Sequence, residues 1–89
     1  MQKEINYGSI EDALGYLDKE VGPWKIYSLG KDIGTGKKTG VKIMGPGYRI
    51  FTTSMRDSHR YIIKAFLEID RADTQTMFML RHPEIYKNS

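Results

Sequence analysis

Nine of the fourteen lysines and arginines lie between Lys25 and Lys64, and these are the side chains through which the sequence can do chemistry. Lys25, Lys31, Lys37, Lys38, Lys42, Arg49, Arg56, Arg60 and Lys64 meet only two acids in that stretch, Asp32 and Asp57, which gives it a balance of +7. Residues 1–24 carry −3 and residues 65–89 carry −1, so the overall +3 hides a cationic middle between acidic ends. Cations at this density suit the phosphates of DNA or RNA, or an acidic protein surface.

The spacing sorts these cations into three groups. Gly34-Thr35-Gly36-Lys37-Lys38-Thr39 invites comparison with a mononucleotide-binding P-loop. That motif needs glycine five residues before the Gly-Lys pair and a hydroxyl directly after the lysine. Lys31 and Lys38 occupy those two places, so what remains is a glycine-rich loop whose lysines and N–H groups can meet phosphates, or a solvated hairpin loop. The second group is Lys25, Tyr27, Lys42, Arg49 and Phe51, which strand alternation places on one sheet face. Tyr27 and Phe51 there are candidates for base stacking, unless a helix over Thr74–Leu80 covers Phe51, Met44 and Leu29. In the third, Arg56, Arg60 and Lys64 recur every four residues, which predicts one stripe at the start of a helix beginning near Asp57 or Ser58.

Catalysis has little to work with. Asp57, Ser58 and His59 are consecutive, which prevents them from forming a nucleophile triad. His59 and His82 are far apart, cysteine is absent, and Glu68, Asp70 and Asp73 read as a solvated helix end. The expectation is a protein that is not an enzyme and has neither metal nor cofactor.

The elements that would position these residues follow from periodicity. Residues 1–8 read as an extended or frayed arm. Ser9 is a candidate N-cap, and Ile10, Ala13, Leu14, Leu17 and Val21 form one helical face that Gly22-Pro23 ends. Gly15 inside this helix suggests close approach to another element. Residues 24–29, 39–44 and 48–53 have strand composition, joined by residues 30–38 and by the turn Gly45-Pro46-Gly47. Trp24, Ile26, Val41, Ile43, Tyr48 and Ile50 would share the core face. Ile62, Ala65, Phe66 and Ile69, widened by Tyr61, Ile63 and Leu67, suggest a well-buried second helix. Residues 74–80 fit a strand or a third helix, the helix favoured by a cap at Asp73 or Thr74, with Met77, Phe78 and Met79 filling the core or forming a dimer or partner face. Residues 83–89 would be a tail.

The sum is a single α+β domain over residues 1–89, order α-β-β-β-α-(α), with helices packed on a three-stranded antiparallel meander. In broad topology this order is similar to double-stranded RNA-binding domains, although the alanine-rich, lysine-led second helix of that family is missing. The three strands plus helix resemble the arm-binding domains of phage integrases. No signal peptide or membrane-length apolar run is present, which points to a cytoplasmic protein without membrane contact. The function expected is a small nucleic-acid-binding accessory or regulatory protein, monomer or homodimer, placing Lys31, Lys37 and Lys38 on phosphates. The alternative is an inhibitor or adaptor, of the kind mobile elements carry, docking on an acidic protein.

Overall fold

The computed structural model describes residues 2–31, 38–57 and 60–87, with side chains omitted at 28–31, 38–39, 54–57 and 60–62. Strand β1 (Gln2–Ile5) leads through a 3-10 turn at Tyr7–Ser9 into helix α1 (Ile10–Glu20). Four strands follow, β2 (Lys25–Lys31), β3 (Lys38–Gly45), β4 (Tyr48–Asp57) and β5 (Arg60–Ile69), then helix α2 (Ala72–Arg81) and a 3-10 turn at Pro83–Ile85. The sheet is antiparallel in the order β1-β5-β4-β3-β2.

The α+β class stands, but the sheet has five strands where the sequence suggested three. Residues 2–5, read as an arm, pair with β5, Ile5 lying opposite Ala65. The larger correction is the segment read as a helix from Asp57 or Ser58. Ten consecutive rows, from Tyr48 opposite Ile69 to Asp57 opposite Arg60, make it the return strand of a long hairpin. Its alternation explains why: Ala65, Leu67 and Ile69 are buried on one side, while Lys64, Phe66 and Glu68 are only half-buried on the other. The α-β-β-β-α order behind the likeness to double-stranded RNA-binding domains therefore does not hold.

Both helices pack on the side of the sheet that carries Ile43, Tyr48, Ile50, Ala65, Leu67 and Ile69. α1 contributes Ala13, Leu14 and Leu17, and α2 contributes Phe78. Burying a side chain of leucine or isoleucine size stabilises by about 1.5 to 3 kcal/mol, so this single-sided core carries most of the fold. Ser9 stands at the N-cap of α1 but makes no side-chain cap bond, and Arg71 rather than Asp73 holds that place in α2. Asp73 instead accepts the N–H of Thr74 at 2.9 Å and hydrogen bonds from Arg71. These partners hold its carboxyl below the usual value, the Thr74 N–H contributing most. Of the apolar α2 residues, only Phe78 is buried, and Met77 and Leu80 are exposed.

The end of α1 is tied to the β3–β4 turn. In that turn Gly47 takes φ 75°, the left-handed conformation a turn with Pro46 before it requires. Gly45 leaves room for the Tyr48 ring, into which a Cβ there would run. The ring thus reaches across the turn, and its hydroxyl donates to the Gly22 carbonyl at 2.6 Å. Near the same end of α1, the two helices are clasped. The His82 ring stacks on Tyr16 with centroids 3.8 Å apart, while Glu20 bonds Arg81 at 2.7 Å and His82 at 3.1 Å. Residues 85–87, read as a tail, close the outer edge of β1: Asn6 donates to the Ile85 carbonyl at 2.8 Å, and Lys87 N–H to that of Glu4 at 3.2 Å.

Three consequences can be measured. Gly15, expected to mark a close approach, faces open space, with nothing within 4 Å of a Cβ placed there. Gly15→Ala should therefore stabilise by about 1 kcal/mol and raise the Tm by roughly 4–8 °C in a thermal melt.

Burial tends to raise the Glu20 carboxyl, but the hydrogen bonds and charges of Arg81 and His82 outweigh it and hold the group below its ordinary value. The clasp is thus complete above the ordinary carboxylate range and is lost as pH falls through that depressed value. Glu20→Gln should be less stable than the parent at neutral pH and converge with it in acid, as read by urea unfolding across pH.

The Tyr86 hydroxyl is buried without a hydrogen-bond partner among the described residues, and burial pushes it up to about 12. The unfolded chain releases that proton near 10, so stability is intact below about pH 10 and declines as pH rises toward 12. Tyr86→Phe should be neutral or stabilising by about 1 kcal/mol and should flatten the alkaline decline.

Candidate nucleic-acid interface

With both helices on one side, the other face of the sheet is uncovered among the described residues. Register assigns its occupants. Lys25 lies opposite Met44, Met44 opposite Arg49 and Arg49 opposite Glu68, while Lys42 lies opposite Phe51 and Phe51 opposite Phe66. The face read from alternation thus comes together at Lys25, Lys42, Arg49 and Phe51, and no helix over 74–80 covers Phe51. Tyr27 departs from it. A bulge between Ile26 and Ser28 takes this residue out of register and places Leu29 opposite Val41, on the parity of the core face. Tyr27 is nonetheless 65% exposed beside that face.

Two rings occupy the centre. Phe51 and Phe66, cross-strand neighbours on β4 and β5, stack with centroids 5.5 Å apart and planes inclined by 24°. Both are half-buried, each shielded by its partner and neighbouring strands but open toward solvent. Reading residues 62–69 as a helix hid Phe66. The signal that could have revealed it is the recurrence of Ile63, Ala65, Leu67 and Ile69 at every second position, with Lys64 and Glu68 between them.

The cations differ in availability. Lys42 is exposed beside Phe51, and Lys64 is half-buried, two residues from Phe66 and opposite Thr53. Arg49 is engaged: its guanidinium donates to Glu68 at 2.7 Å and Asp70 at 3.0 Å, so two carboxylates already neutralise it. Among the described residues Lys25, Lys42 and Lys64 make no such ion pair. The ladder between β3 and β4 ends at Lys42–Phe51, beyond which the Val41 N–H turns to the Thr52 hydroxyl at 2.9 Å. The flanking hairpins continue separately, β2–β3 to Lys31 opposite Lys38 and β4–β5 to Asp57 opposite Arg60.

An antiparallel meander puts these two hairpin ends at the same end of the sheet, so the backbone positions of Lys31, Lys38, Arg56 and Arg60 are gathered there. Lys37 and residues 32–36 of the loop lie outside the described residues, while Lys38 begins β3. The expected helical stripe of Arg56, Arg60 and Lys64 is not formed, because position 56 belongs to β4 and positions 60 and 64 to β5. With it goes the helix dipole that would have drawn an anion. Among the described residues no three His, Asp or Glu side chains are grouped to hold a metal ion, and no helix is long and apolar enough to cross a membrane. In comparisons with protein-family models, curated proteins and solved structures, nothing matches this chain.

Proposed function

We propose that this chain is a small nucleic-acid-binding accessory or regulatory protein that lays single-stranded DNA or RNA along the uncovered face of its sheet. The observation that carries the reading is the Phe51–Phe66 pair at the centre of that face, flanked by Lys42 and Lys64. Bases stack on aromatic rings without regard to sequence, each stack contributing about 1 to 3 kcal/mol, while lysines beside the rings meet the phosphates. The strand would continue toward the hairpin ends, where Lys31, Lys38, Arg56 and Arg60 extend the cationic path. A duplex offers no unstacked bases to the rings, so the preference is for single strands. A second reading, an inhibitor or adaptor on an acidic protein, draws on Met77 and Leu80, which α2 leaves exposed on the opposite side.

Fluorescence anisotropy with labelled single- and double-stranded oligonucleotides separates these readings. Neutralising about five phosphates of a single strand gives a log–log salt slope of about −3.5, a loss of roughly 100-fold between ~50 and ~200 mM salt. Phe66→Ala and Phe51→Ala should each weaken single-strand binding by about 5- to 100-fold with the salt slope unchanged. Lys42→Gln should instead lower the slope by about one phosphate's worth, ~0.7. A flat salt response, or full binding by both phenylalanine variants while Met77→Ser abolishes complex formation with an acidic partner, would move the assignment to the second reading.

A further inference from the structure

The helical side of the sheet is only partly covered. Beside α1, over β2, β3 and the adjoining part of β4, a concavity of about 470 Å³ opens between the sheet and the segment that starts the helix. Its walls include Tyr7, Ile10, Trp24, Ile26 and Val41, with Tyr7 55% and Ile26 57% exposed. Among the described residues Glu11 is the one charged residue in the lining. A mostly apolar hollow of a few hundred Å³ with a few polar groups and one charge has the dimensions and chemistry of a small-molecule site.

We infer that this hollow binds an organic cation with an apolar body. The aliphatic side chains would desolvate the body, and Tyr7 and Trp24 place aromatic rings in the lining, whose π-systems attract ammonium groups. Glu11 supplies the countercharge. The start of α1 carries about half a positive charge from its dipole, but Glu11 and Asp12 in its first turn more than offset it. The sign is opposite to that of the uncovered face, so a phosphate chain is repelled here and the two sites are independent.

Trp24 is the sole tryptophan and lines the hollow, so its emission reports occupancy without a label. The probes are n-octyltrimethylammonium, 1-octanol and octanoate, matched in chain and differing in charge, each kept below micelle formation. The cation should shift Trp24 emission saturably with a Kd on the order of 1 mM, and octanoate should bind at least about tenfold more weakly. Glu11→Gln, at an exposed position, should reduce the preference of the cation over octanol by about fivefold. Ile26→Lys should abolish cation binding by placing a like charge at the mouth. Equal titration by cation and anion, a cation preference unchanged in Glu11→Gln, or no saturable change in Trp24 emission and in the Ile26 and Val41 methyl resonances would overturn the inference.

Discussion

The alternation of β5 is the constraint on which the rest of the molecule depends. Placing Ala65, Leu67 and Ile69 inward gives the helices a continuous apolar floor to pack on, and the same pleat sends Lys64, Phe66 and Glu68 to the other side. β5 also lies between β1 and β4, so it carries the first strand into the sheet and sets the register of the hairpin that holds Phe51. A slip of one residue would exchange the two faces, burying Lys64 and Glu68 and exposing Leu67. Core and candidate surface are therefore one decision made along one strand.

Charge divides along the same plane. The uncovered face has Lys25 and Lys42 on its β2–β3 side, with Lys64 beyond the phenylalanines. Toward β1 it becomes balanced, since Arg49 is held by Glu68 and Asp70, and Glu4 by Lys87 at 3.2 Å. The helical side is acidic along α1, where Glu11, Asp12, Asp18 and Glu20 outnumber Lys19. Among the described side chains, the open face thus carries its positive charge outside ion pairs at Lys25, Lys42 and Lys64. An approaching anion would be oriented by this asymmetry before any contact forms.

Much of this was readable from the chain. The first helix, the turn at Gly45-Pro46-Gly47, three of the strands and the side on which Lys42, Arg49 and Phe51 lie all follow from local periodicity and turn chemistry. The segment over residues 60–69 was not, because its apolar residues satisfy two periods at once. Ile62, Ala65, Phe66 and Ile69 fit a helix, while Ile63, Ala65, Leu67 and Ile69 fit a strand. A helix apolar over more than half its girth is the warning sign, since a strand with an aromatic outer face looks the same. Arg49 was misjudged for a different reason: Glu68 and Asp70 are distant in sequence and meet it only through the β4–β5 register. The bulge at Tyr27 carries no turn residue and left no local mark.

The closing of β1 by residues 85–87 has a consequence for how the chain is made. During synthesis β1 leaves the ribosome before either neighbour, its inner partner β5 following some sixty residues later and its outer cover later still. Until then its N–H and C=O groups stand open on both sides, in a nascent chain that can hold α1 and the β2–β3 hairpin but not the finished sheet. Contacts so remote in sequence slow the final docking, so the newborn protein spends its most adhesive interval with the first strand unclaimed. The other outer strand, β2, carries its own bulge and lysines, features that discourage pairing at an edge.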